Sequence, residues 1–163
     1  MLSRFVVLSV SVSLTRKASP LQCGGAGEWM YRSVLGIEPA KPGWKVITVN
    51  PLIVHEGPAS ATGSMATILG NVSVSWTRAE SEDQDNAAPA AAAKLSVTIP
   101  AGARAQVTVP VADPGTTTIT ESGQKVWAAG KFVAGVKGVT ESVEQVLNGV
   151  TFDVVSGSYE FAQ

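Results

Sequence analysis

The stretch G-E-W-M-Y-R-S-V-L-G-I-E-P, Gly27 to Pro39, is followed after Ala40 and Lys41 by P-G-W-K, Pro42 to Lys45. The first half has helical periodicity. Met30, Val34 and Ile37 fall at i, i+4 and i+7, and Tyr31 and Leu35 widen the stripe into a broad apolar face. Trp29 adds another large apolar surface, leaving little of the helix for water. Gly36 and Pro39 supply the stop, since glycine weakens a helix interior and proline cannot continue one. A helix of about three turns this apolar is marginal alone and needs a partner surface. The sequence offers no second helix for that purpose, so the helix is expected to belong to something larger.

Downstream the period changes from helical to alternating. Lys45 to Val49 opens a β section, and Pro51 and Pro58 bound an irregular segment containing His55. Ser64 to Leu69 reads as a strand, Gly70-Asn71 as a tight turn, and Val72 to Trp76 as the partner strand. There Val72, Val74 and Trp76 point one way and Ser73, Ser75 and Thr77 the other, which predicts one packed face and one wet face. Residues 78–93 break the pattern with Glu80, Glu82, Asp83 and Asp85 and then an Ala/Pro tract, expected as a mobile surface loop. This acidic run lacks the glycine and distal carboxylate of a calcium loop, so a solvated loop is the expectation.

Strand patterning resumes at Leu95, Val97 and Ile99, stops at Pro100-Ala101-Gly102, and restarts at Ala105, Val107 and Val109. Asp113-Pro114-Gly115 is a strong turn. Thr117 to Glu121, Lys125 to Trp127, Val139 to Val143, Val150 to Val155 and Ser158 to Phe161 complete the series. Glu141 to Leu147 also has helix-like spacing, but the Val-rich ends and Asn148-Gly149 favour strand-turn-strand. The expected fold is mainly β, an antiparallel β-sandwich preceded by one short α-helix.

Composition narrows the function classes. Of the 163 residues 45% are hydrophobic and 15% charged, which argues for a folded body long enough to bury a core. Twelve basic and thirteen acidic residues leave a net charge of −1, and no basic run exceeds Arg16-Lys17. Nucleic-acid binding therefore has no electrostatic footprint. No apolar run is long enough to span a bilayer, so no membrane partner is expected. A single cysteine, Cys23, precludes an internal disulfide, and a single histidine, His55, argues against most metal sites and Ser-His-Asp chemistry. No metal and no cofactor are expected. Cys23 receives no role, and His55 reads as a loop side chain. Asn71-Val72-Ser73 is a glycosylation sequon that matters only in a secreted chain.

Residues 1–24 allow three readings. Arg4 followed by Phe5 to Leu14 resembles the charged and apolar parts of a secretory signal. Val10, Val12 and Leu14 alternate with Ser9, Ser11 and Ser13 as in a strand. The leader can also be foreign to the domain, the chain starting inside a longer gene. Localisation stays open between these.

The Gly27–Pro39 motif with P-G-W-K resembles the last barrel helix and exit segment of the bacterial-type α-L-rhamnosidases. The resemblance continues more weakly through G-N-V-S-V-S-W, Gly70 to Trp76, and G-S-Y-E-F, Gly157 to Phe161. These relatives are inverting glycoside hydrolases with an (α/α)6 catalytic barrel and a C-terminal β-sandwich. The resemblance implies a leader at 1–24, the last helix of a missing barrel at 25–39, and the sandwich domain at 42–163. In the relatives the segment before G-E-W is more barrel helix; S-P-L-Q-C-G-G-A here is not, which favours the foreign-leader reading. The partners implied are rhamnosides in the full-length enzyme and the missing catalytic barrel.

Inverting hydrolysis needs two carboxyl groups roughly 6.5–9.5 Å apart, one protonating the leaving oxygen and one activating water. The resemblance makes Glu28 the candidate general base; the residues alone offer an i, i+4 pair between Glu28 and Arg32. The family's general acid, rhamnose-gripping carboxylates and stacking tryptophans lie upstream in the barrel. The family also often places a histidine after the glycine-aromatic-lysine corner, where this chain has Val46. The chain alone is therefore expected to be inactive. Trp76 reads as core, and Trp44 as packing against a barrel. The alternative is a non-catalytic sandwich that binds carbohydrate or protein, which predicts a solvent-facing aromatic platform. A barrel-facing helix also predicts that Trp29, Met30, Val34, Leu35 and Ile37 leave a sticky patch, or that the helix folds back onto the sandwich.

Overall fold

The structure, a computed structural model, describes residues 7–10, 24–54, 57–79, 92–141 and 149–163. His55, Cys23, the four carboxylates of the acidic loop and the helical alternative after Glu141 lie outside the described residues. Among the described residues, alternating apolar positions build two sheets around one core. The larger has eight strands in the order β1 (Val7–Val10), β4 (Ser60–Thr67), β5 (Gly70–Arg78), β6 (Ala92–Ile99), β13 (Gly157–Ala162), β8 (Ile119–Glu121), β9 (Gln124–Ala128) and β10 (Lys131–Phe132). The smaller runs β11 (Val139–Glu141), β12 (Gly149–Val154), β7 (Arg104–Pro110), β3 (Val46–Val49), β2 (Ile37–Pro39). The architecture is mainly β, as the alternation predicts.

The inward faces carry Val72, Val74, Trp76, Leu95, Val97 and Phe161 from the larger sheet and Ile47, Val49, Val107, Phe152 and Val154 from the smaller, all buried. Phe152 stacks on Phe161 across the gap, with ring centroids 5.3 Å apart and planes 5° from parallel. Most strand pairs are antiparallel, but β3 runs parallel to β7 and β1 parallel to β4. The β3–β7 pair has a topological cause. After β3 the chain leaves for the larger sheet, builds β4, β5 and β6 there, and returns as β7, a crossover that permits parallel pairing.

Turn chemistry sets the ends of the strands. Asp113 folds its own turn, its carboxylate accepting from the Gly115 amide (2.9 Å) and the Thr116 hydroxyl (2.9 Å). Ser122-Gly123 and Ala129-Gly130 both have positive φ at their two positions, the backbone that tight hairpins favour. The β4–β5 turn differs from expectation. Thr67 pairs with Gly70, so the reversal sits on Ile68-Leu69 and Gly70-Asn71 belongs to β5. The Thr67 hydroxyl fixes this register, accepting from the Leu69 amide and donating to the Gly70 carbonyl (2.7 Å). The inward set of Val72, Val74 and Trp76 is unaffected, because the shift is of two residues and the pleat repeats every two.

The opening helix is shorter than its periodicity suggests. Helix α1 covers Gly24–Trp29 and passes into a π-helical turn at Met30–Val34, closed by the Leu35 amide on the Met30 carbonyl (3.0 Å). Ile37, the expected third member of the stripe, lies instead in β2, opposite Val49. Gly36, at φ +71°, makes the reversal between them, and a Cβ there would collide with the Asn50 and Pro51 backbone. Among the described residues no helix is long and apolar enough to cross a membrane.

The helix finds its partner within the chain, in the sandwich and not in a second helix. Val34, Leu35 and Ile37 are buried in the common core, and Leu35 fills the space that a side chain at Gly63 would occupy. The carbonyls left over at the helix end are bonded by the sandwich. Trp76 Nε1 donates to Val34 (2.8 Å), the Leu52 amide to Ser33 (2.9 Å) and the Asn50 amide to Gly36 (2.9 Å). The Tyr31 hydroxyl adds a bond to the Ser64 carbonyl (3.1 Å). Of the two outcomes that the apolar stripe predicts, folding back onto the sandwich is the one observed. Of the apolar side chains on this helical segment, Trp29 keeps a large exposed surface, at 54%.

Candidate functional site

Glu28 lies in the last turn of α1, immediately before the π-helical turn, and its side chain is 63% exposed. Glu28 Oε1 accepts from Arg32 Nη1 at 2.9 Å, the i, i+4 pair visible in the sequence. Arg32 also donates through Nε to Glu38 Oε1 at 2.9 Å. One guanidinium thus joins the helix to β2. The two carboxylates hold the Arg32 pKa above its ordinary value, Glu38 contributing most and Glu28 next.

The involvement of Glu38 was not readable from the sequence. Residues 32 and 38 are six apart, a spacing that does not bring side chains together on a continuous helix. They meet because the helix stops at Val34 and Gly36 turns the chain back beside it. Glu28 Oε2 has no partner among the described residues. The arrangement therefore presents one carboxylate oxygen to solvent while the other is pinned.

That geometry can orient a water and accept its proton. It does not supply a complete inverting site. Glu38 shares the guanidinium with Glu28 and does not oppose it across an open gap. Three other described carboxylates have separate engagements. Asp113 serves its turn, Glu160 pairs with Lys94 at 2.9 Å, and buried Glu121 accepts from the Ser122 hydroxyl at 2.7 Å. Among the described residues no group of three or more His, Cys, Asp or Glu side chains is placed to hold a metal ion.

The tryptophans divide by environment. Trp76 is in the core as its alternation predicts, and Trp127 is buried, with Nε1 on the Pro114 carbonyl (2.8 Å). Trp44, at φ +59° beside Gly43, is partly buried and packs against the sandwich core. None of these three lies as an open aromatic platform on the sandwich.

The sequence profile of the family described as "Bacterial alpha-L-rhamnosidase C-terminal domain" matches residues 36–124, more than half of the chain. Glu28 precedes the matched segment. An alpha-L-rhamnosidase of Formosa agariphila is 39% identical over 54 residues, which cover 32% of this chain and 6% of that protein. The fold is similar to the alpha-L-rhamnosidase from Dictyoglumus thermophilum, with a TM-score of 0.62 and 23% identity over 83% of this chain and 13% of that one. It is also similar to the Streptomyces avermitilis alpha-L-rhamnosidase complexed with L-rhamnose, with a TM-score of 0.61 and 24% identity over 85% of this chain and 11% of that one. The chain thus spans a small part of each of these relatives. With its two-sheet fold and the profile match through β2 to the start of β9, the chain belongs to the bacterial α-L-rhamnosidase C-terminal domain family.

Proposed function

We propose that the chain works as the C-terminal part of an α-L-rhamnosidase, which releases terminal α-L-rhamnose from glycosides, with Glu28 as its general base. On this reading the helical segment, residues 25–34, belongs to the barrel side of the enzyme, and β2 with residues 42–163 forms the sandwich that mounts it. The observation that carries it is the placement of Glu28. An exposed carboxylate, clamped at one oxygen and open at the other, stands on a helix whose far end is fixed to a rigid sheet pair. Such a group can take a proton from water as that water attacks the anomeric carbon.

The complementary acid comes from a catalytic barrel beside the helix. Exposed Trp29, next to Glu28, is the apolar surface offered to that barrel. The sandwich contributes positioning: displacing a reacting group by about 1 Å can lower a rate on the order of 100-fold. Without the acid and the substrate cleft the chain supplies no turnover of its own. Incubating the purified chain with an aryl α-L-rhamnoside tests this, and the expected result is no release above the enzyme-free rate. Release that disappears in Glu28→Gln would show that the chain holds a complete site and would overturn the proposal.

A further inference from the structure

We infer that the outer face of the five-stranded sheet carries a separate binding site for a neutral polyhydroxylated ligand, one monosaccharide unit in size. A hollow of about 330 Å³ opens on that face, lined by Val46, Arg104, Gln106, Thr140, Asp153 and Val155 among others. This volume falls at the small end of ligand pockets, which run from roughly 300 to 1,000 Å³. Strand register explains the gathering. Gln106 lies opposite Asp153, and Asp153 opposite Thr140, so three polar residues form one row across β7, β12 and β11. Their strand neighbours Ala105, Val107, Phe152 and Val154 are buried in the core, which turns the row outward.

The row differs from the outer face of the larger sheet. There the polar side chains close on one another: Thr62 with Ser75 at 2.8 Å, Thr98 with Ser158 at 3.0 Å, and Lys94 with Glu160 at 2.9 Å. Over the hollow, the side chains of Arg104, Gln106 and Asp153 make no hydrogen bond or ion pair to any described residue. The Thr140 hydroxyl donates to the Asp153 carbonyl at 3.2 Å and keeps its acceptor capacity.

The chemistry of the set selects the ligand. Asp153 accepts, Arg104 donates, and the Gln106 amide does both. A sugar hydroxyl both donates and accepts, so adjacent hydroxyls can use all three. One positive and one negative side chain leave no net charge to select an anion or a cation. Val46 and Val155 give an apolar rim for the C–H face of a ring. With no aromatic side chain among these lining residues and few charge-assisted bonds, the affinity is in the millimolar range.

The hollow is distinct from the Glu28 site. Glu38, Thr48, Gln106 and Asp153 are successive register partners, so Asp153 lies three strands from the Arg32–Glu38 pair, about 15 Å away at the usual strand spacing. The inference stands on this sheet alone and does not need Glu28 to be a base.

Amide chemical shifts of the full chain, titrated with L-rhamnose and in parallel with glycerol and with sodium sulfate, test the site. L-Rhamnose is expected to give saturable shifts confined to the neighbourhood of Arg104, Gln106, Thr140 and Asp153. The Asp153→Ala, Gln106→Ala double variant, altered only on the outer face, is expected to weaken them by about tenfold or more. Three results would overturn the inference. These are no saturable shift with L-rhamnose, shifts of equal strength in the double variant, or shifts at these residues with sulfate alone, which would mark a simple anion contact at Arg104.

Discussion

Trp76 shows how much of this molecule depends on single side chains. Its ring fills the core of the larger sheet, while its Nε1 satisfies the Val34 carbonyl at the end of the helical segment. Trp76→Phe removes that donor and leaves a buried carbonyl unpaired, which costs about 1–3 kcal/mol. The urea midpoint is expected to fall accordingly, with amide exchange accelerating most around Tyr31 to Leu35. Burial of Trp76 is legible in the sequence, because Val72, Val74 and Trp76 alternate with serines. Its hydrogen bond is not, since the partner stands 42 residues away and no local pattern encodes it. Tyr159 gives a pH signature. Burial, and then the charge of Glu121, push its phenol above the ordinary value of about 10. The folded state therefore keeps this proton after the unfolded chain has lost it, so the contribution is whole below about pH 10 and declines as pH rises through the folded value. Tyr159→Phe should flatten the alkaline decline in urea midpoint seen with the parent chain.

At the scale of elements, the helix and its exit show which constraints are local. The strands after Val46 follow from alternation and from turn residues close in sequence, and their existence is legible for that reason. The helix end is decided by tertiary structure. Gly36 at φ +71°, with the Asn50 and Pro51 backbone against it, stops the helix and sends Ile37 into β2. The apolar stripe continues past that stop because strand and helix residues here face the same core. Gly36→Ala would have to carry a side chain at positive φ and press on the neighbouring backbone, a combination that costs about 3 kcal/mol or more. The expected outcome is a large drop in melting temperature, with the β5–β6 ladder still present in the remaining folded fraction. The same reversal brings Glu38 to Arg32, so the pinned Glu28 is a product of the turn as well as of helical spacing. That is why half of the Arg32 clamp was readable and half was not.

The whole molecule is a sandwich that takes a short helical segment into its own core while leaving Glu28 and Trp29 outside it. Fold class was legible because alternation runs through most of the chain from Lys45 onward. The hollow on the smaller sheet was not, since it depends on which polar strand positions become neighbours across β7, β12 and β11. The proposed function makes Glu28 a base whose acid partner comes from a catalytic barrel. Its most direct test joins residues 27–163 to the barrel of an α-L-rhamnosidase, in place of that enzyme's corresponding C-terminal part, and compares the parent junction with Glu28→Gln. The expected result is aryl rhamnoside turnover by the parent and a kcat lower by about 10²–10⁴-fold in the variant, with KM little changed. Equal turnover by the two proteins would contradict it.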